Sequence, residues 1–233
     1  MTMPEYLAIK GCSSGLLNTV LTQSPHHAKH EQDTPDNGAS EVSDIGVAIH
    51  DCLLEGVDRI AVIDAKDWRT NAAKEAREQA WAAGKVPMLS HKVRAVEEAV
   101  RSVKAFVGKS EIKGCFDEGQ SERTAIWQEG QTLCKIRPDR LTKDWHISVK
   151  TTDGSANPEA WIRRQLSAMG YDVSLLFYER GLKAVGINVD SRILVIEQNP
   201  PYGCAGVGLA PAKREYAESR MVRALEQAIG GNT

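Results

Sequence analysis

The chain lacks the features that would announce a special protein class. Its 233 residues contain no run of 18 apolar residues, so no segment is expected to cross a membrane. No basic-then-apolar leader stands at the N-terminus, and a cytoplasmic protein is the expectation. The five cysteines, Cys12, Cys52, Cys115, Cys134 and Cys204, are odd in number and show no Cys-x-x-Cys spacing. That pattern argues against a disulfide framework or a zinc site and leaves buried free thiols. Neither sign of charge dominates: 29 Lys and Arg face 31 Asp and Glu, a net charge of -2. Affinity for nucleic acid would therefore have to come from a local cluster, not a global field. There is no internal repeat. What is present is a globular composition, 42% hydrophobic and 26% charged, long enough to bury one substantial core.

The first half reads as helical. Residues 12–24 place Leu16, Leu17, Val20 and Leu21 at helical spacing behind a Ser13 or Ser14 cap, and Ser24-Pro25 ends the run. Residues 26–40 are polar and read as an exposed, mobile loop. A helix over 43–55 has Ser43 as its cap, 57–64 reads as a short strand, and a polar helix over 69–83 stops at Gly84. Residues 90–107 are strongly amphipathic, with Val93, Val96, Val100, Val103 and Val107 on one stripe before Gly108.

After residue 110 the period changes to two. Strands are expected over 123–128 and 132–138, joined at Glu129-Gly130, and a third over 144–150. Asn157-Pro158 opens a helix whose stripe is Ile162, Leu166, Met169, Val173 and Leu176, closed by Gly181. Strands over 192–198 and 203–209 and a helix over 211–229 complete the chain. Three meander strands, a helix and a further strand predict an α/β sandwich around a mixed sheet. We expect one domain, residues 1–233, with a mostly helical part over 1–110 and an α/β core over 111–233.

In the third strand, side-chain alternation puts His146, Ser148 and Lys150 on one face and Trp145, Ile147 and Val149 on the other. Asp139 lies shortly upstream. A carboxylate that holds a hard divalent cation, beside a lysine that positions water or neutralises phosphate charge, is the skeleton of a phosphodiesterase site. The plainer alternative is that Asp139 caps a turn and Lys150 is a solvated strand-end charge.

The segment CKIRPDRLTKDWHISVKTTDGSANPEAWIRRQLSAMGYDVSLLFYERGL (134–182) resembles the core of the exonuclease VIII (RecE-type) phage family of PD-(D/E)XK nucleases. That family reads as R-P-D, then D-L-K-T, then a helix containing G-Y-x-x-Q-x-x-x-Y. Pro138-Asp139, Lys150-Thr151, Gly170-Tyr171 and Tyr178 match. Upstream, IGVAIHDCLLEG (45–56) is similar to the family's G-x-x-x-H helix, with Gly46 and His50 in place. The segments 6–29, 67–89 and 122–127 also resemble the family, in order.

The resemblance implies a restriction-endonuclease-like core, a mixed central sheet flanked by helices. It implies hydrolysis of duplex DNA from its ends with Mg²⁺ or Mn²⁺, in a bacterial or phage-infected cytosol. It also implies a homo-oligomer and a single-strand annealing partner. His50 and Asp139 would be metal ligands, Lys150 the catalytic lysine, and Glu122 a neighbour of the site. Two positions depart. Ser148 stands where the family has its metal-bridging aspartate, and Ser174 where it has the helix glutamine. A hydroxyl is a weak ligand for Mg²⁺, so the expectation is a nuclease with a single, weakly held ion or, as the alternative, a catalytically weakened or inactive member that binds DNA or a protein partner. Among Glu122, Asp144, Asp153 and Asp172, Glu122 is the best substitute carboxylate. Tyr171, Ser174 and Tyr178 form one helical face flanking the site. Lys135, Arg137, Arg140, Arg163 and Arg164 are the expected phosphate contacts.

Overall fold

The computed structural model describes residues 1–34, 44–56 and 59–230. Its N-terminal helices follow from their caps. Helix α1 (Met3–Ala8) opens on a reciprocal box between Thr2 and Glu5. In α2 (Ser14–Thr22) the Ser13 hydroxyl accepts from Leu16 N–H. The expected loop after residue 26 is instead helix α3 (Pro25–Asp33). The dipeptide that ends α2 also starts α3: Ser24 accepts from His27 N–H, and Pro25 occupies the first turn, where its missing N–H costs nothing. Residues 35–40 of that expected loop, the Ser43 cap, and residues 57 and 58 of the expected strand lie outside the described residues. Helix α4 (Asp44–Leu54) precedes a small parallel unit in which β1 (Ile60–Ile63) pairs with β2 (Val86–Leu89) across α5 (Asn71–Ala82). Helix α6 (Ser90–Val107) buries Val96, Val100, Val103 and Val107.

The main sheet has five strands in the order β3 (Gln120–Ser121), β6 (Arg140–Leu141), β7 (Trp145–Thr152), β8 (Asp190–Glu197), β9 (Cys204–Val207). Only β7 and β8 are parallel, so the sheet is mixed. The expected three-strand meander is corrected: β4 (Ala125–Glu129) and β5 (Thr132–Ile136) form a separate hairpin outside the main sheet, with Cys12 bridging to Cys134 on the other edge of β5. The β5 strand ends before Pro138, and pairing resumes two residues further on in β6.

Both faces of the sheet are covered. Ile147, Val149, Leu194 and Ile196 pack with Ile49, Met88 and Val103 of the α4 and α6 side. Ile193 and Val195 turn the other way, toward Leu175. A third cluster joins α2 to the hairpin and the C-terminal helices through Leu17, Trp127, Phe177 and Met221. Four of the five cysteines are buried and all are free.

The single helix expected from Asn157 is two. Helix α7 (Pro158–Trp161) runs into a π-helical turn over Ile162–Leu166, and the chain then breaks at Gly170 before α8 (Tyr171–Ala184). Gly170 has φ +67°, and a Cβ there would stand 2.2 Å from Asn18 Oδ1, so only glycine fits. The break turns Met169 out, 52% exposed, although the periodicity put it on the core stripe. Helix α9 (Pro211–Gly230) closes the fold against α2 and α8. No helix among the described residues is long and apolar enough to cross a membrane.

Candidate active site

The site sits where β7 loses a partner. Strand β8 accompanies β7 from Trp145 to Thr152, but β6 pairs only with His146 and Ile147. The Asp139 carboxylate takes over from there. Its Oδ2 accepts from Val149 N–H at 2.6 Å and from the Ser148 hydroxyl at 3.3 Å. Helix α4 then comes close because Gly46 has no side chain. A Cβ at Gly46 would lie 2.8 Å from Thr151 Oγ1 and 3.0 Å from Gln198 Nε2, two groups that themselves bond at 2.9 Å. One turn along the same helix face, His50 Nε2 lies 3.8 Å from Asp139 Oδ1. Glu122 enters from the loop after β3 with a left-handed backbone, φ 55°, its N–H directed at the Pro138 and Asp139 carbonyls. A non-glycine residue held there stores about 1–2 kcal/mol of strain. Ligand atoms of His50, Glu122 and Asp139 all lie within 4.8 Å of one another. Lys150 Nζ stands 3.8 Å from Asp139 Oδ2.

The electrostatics of the cluster follow from the charges gathered in it. Burial would raise the pKa of Asp139, but the Lys150 charge, His50 and the Val149 N–H together hold it well below the usual carboxylate range. Burial would lower that of His50, but hydrogen bonding to Asp139 and Asp51, with the charges of Asp139 and Glu122, pushes it up to about 9. Burial raises Glu122, and the hydrogen bond from Arg137 only partly offsets this. With its pKa raised, His50 would have to release a proton to ligate a metal ion. One imidazole nitrogen and two carboxylates are a donor set that suits such an ion.

Of the other expected residues, Ser148 stands beside the cluster, its hydroxyl donating to Asp139 Oδ2 at 3.3 Å. Tyr171, Ser174 and Tyr178 line a small cavity with His146, Ser148 and Lys150. The Lys150 ammonium also sits 5.5 Å from the centre of the Tyr171 ring. Asp172 is fully buried and tied to Arg220 and Lys213, away from the cluster.

Two of the expected phosphate contacts are corrected. Lys135 is buried, its Nζ donating to the carbonyls of Tyr6 and Ile9 at 2.8 and 2.7 Å, where it anchors α1. Arg140 is buried and donates to the carbonyls of Cys115, Phe116 and Glu118 and to Ser121 Oγ, where it ties down the loop before β3. Neither side chain is left exposed at the surface. Arg137 is bound to Glu122 and to the Met1 carbonyl. Arg163 and Arg164 are exposed on the π-helical turn.

Sequence reasoning gave no role to His146, which is fully buried. Its only signal was its place on the Ser148 and Lys150 face of the strand.

No protein-family model and no curated protein matches the chain. Among solved structures, its fold is similar to that of a "putative exonuclease" from Eubacterium rectale, with a TM-score of 0.60 at 11% identity over 99% of this chain and 87% of that one. At that identity the likeness establishes a shared fold.

Proposed function

We propose that this chain is a divalent-cation-dependent DNA nuclease of the PD-(D/E)XK type, acting on duplex ends. The observation that carries this reading is the convergence of His50, Glu122 and Asp139 within 4.8 Å, with Lys150 3.8 Å from the shared aspartate. The fold shared with a structure named as an exonuclease supports it, as does the ordered resemblance of the sequence to the RecE-type family.

Mg²⁺ or Mn²⁺ would be held by His50, Glu122 and Asp139. When bound, such an ion lowers the pKa of a water and offsets charge on the scissile phosphate. The chain's own residues do the rest. Val149 N–H and the Ser148 hydroxyl orient the Asp139 carboxylate. Lys150 lies beside it, placed to steady the attacking water or the charge that grows on phosphate oxygens. Arg163 and Arg164, exposed next to the flanking helix, grip backbone phosphates. The RecE-type resemblance extends the proposal to a cytoplasmic homo-oligomer that passes its single-stranded product to an annealing protein.

A second reading has one observation in its favour. Ser148 is neutral where the family carries a carboxylate, so the chain would bind DNA ends without cutting them. Incubation with linear duplex and Mg²⁺ or Mn²⁺ separates the two. Cleavage by the wild type that disappears in Lys150→Ala upholds the nuclease. An inert wild type with an active Ser148→Asp variant upholds the binding protein instead.

A further inference from the structure

Lys150 has two sides. One faces the cleft with Gly46, Val47 and His50. The other closes a cavity of about 10 Å³ bordered by His146, Ser148, Tyr171, Ser174 and Tyr178. That volume holds about one water.

The cavity has an unmet polar demand. His146 is fully buried, and its ring is stacked on Tyr178 with centroids 5.0 Å apart. Its Nδ1 lies 3.1 Å from Ser191 Oγ, while Nε2 has no hydrogen-bond partner. Leaving such a nitrogen unpaired is costly, and a buried polar atom normally has a partner. A buried water needs two to four polar neighbours. Ser148, Ser174, Lys150 and His146, each carrying a polar group, all line this one space.

We propose that His146, Ser148, Ser174 and Lys150 hold one buried water, and that through it His146 is a positioning residue for Lys150 and Ser148. The hydrogen bonds assign themselves. Lys150 is donor-only, so the water accepts from it. The Ser148 proton is directed at Asp139 Oδ2, so Ser148 accepts from the water. Ser174 donates into the second lone pair. The remaining water proton goes to His146 Nε2, which fixes the imidazole as the Nδ1–H tautomer with Ser191 Oγ accepting. Glutamine at position 174 or aspartate at position 148 would fill this space with side chain. The two serines that depart from the family pattern border the same chamber, so the water stands in for both missing groups.

The effect on catalysis rests on the nuclease reading; the water itself does not. The test combines a high-resolution crystal structure, ¹⁵N NMR of the imidazole, and two variants. His146→Phe keeps the stack on Tyr178 and removes both nitrogens. Ser174→Val fills the cavity from the opposite wall, so a fold defect in one variant does not decide the outcome. The expected result is one water within hydrogen-bond distance of Nε2 and both hydroxyls, with ¹⁵N shifts of an Nδ1–H ring. Both variants then lose about tenfold in kcat on linear duplex, the equivalent of one hydrogen bond, with KM unchanged. A dry cavity, or a protein atom bonded to Nε2, overturns the proposal. So does a loss of kcat that only follows a loss of melting temperature. A wild type inert on every DNA overturns the nuclease reading alone, and the crystal structure and NMR still decide the water.

Discussion

The two sides of β7 have been put to opposite uses. Along its free edge, charge is gathered in reach of solvent: imidazolium, two carboxylates and an ammonium around one point. On the face toward α8, the same strand places a histidine in full burial, stacked on a tyrosine beside two hydroxyls. The difference teaches what burial does to similar groups. His50, among carboxylates, is pushed up to about 9, whereas burial drives His146 down to about 4. Burial works against the charged form of both; around His50 the hydrogen bonds and charges of its carboxylates outweigh it, whereas at His146 the charges of Asp139 and Lys150 oppose each other and burial prevails.

The comparison is broken most severely by removing charge from the open side. Lys150→Ala is expected to lower kcat on linear duplex by about 10²–10³-fold, the scale of losing one electrostatic stabiliser, with the melting temperature nearly unchanged. An equal loss in Val149→Ala, which keeps the backbone donor to Asp139, would mean that packing and not charge is at stake.

Next in size is the closed side. The unfolded-state pKa of His146 is its ordinary 6.5 and the folded value is about 4, so the unfolded chain binds the extra proton between those limits. Stability should therefore fall as pH drops from 6.5 toward 4, with this residue adding up to about 1.4 kcal/mol per pH unit to the slope. Denaturant melts across that range should be flatter for His146→Phe than for the wild type; parallel curves would contradict a neutral buried ring.

The contact between α4 and the free edge is tested by Gly46→Val. The added methyls meet Thr151 and Gln198, an overpacking worth about 1–3 kcal/mol, and carry His50 away from Asp139. Calorimetry should show Mn²⁺ affinity falling more than stability does, with Gly46→Ala intermediate. The smallest effect belongs to the exposed arginines. Arg163→Ala should weaken DNA binding evenly across sequences and reduce the salt slope by about 1, while Lys135→Ala, at a buried anchor, should lower stability and leave that slope alone.

Much of this was legible in the sequence where one rule acted alone. The valines of α6 and the cap and proline at Asn157-Pro158 needed only local spacing. Legibility failed where one short segment obeyed two rules. Ser24-Pro25 ends one helix and begins another, and the apolar stripe of 162–176 continues through a break that Gly170 makes for the sake of Asn18. Strand β2 was hidden by Pro87 in only four residues. Lys135 and Arg140 looked like surface charge because they flank Asp139 in sequence. Their burial depends on carbonyls from residues 6–9 and 115–118, which no local pattern reveals. Glu122 reaches the cluster through a left-handed loop conformation that its residue type does not announce.

The shortness of β6 has one more consequence. If that strand continued one residue toward its N-terminus, Asp139 would become a rung of the ladder, and the Val149 amide would be claimed by main chain instead of carboxylate. The chemistry would vanish with every side chain still in place. Insertions or deletions near Pro138 should therefore be the least tolerated length changes in the molecule, because they shift the point at which two strands let go of each other.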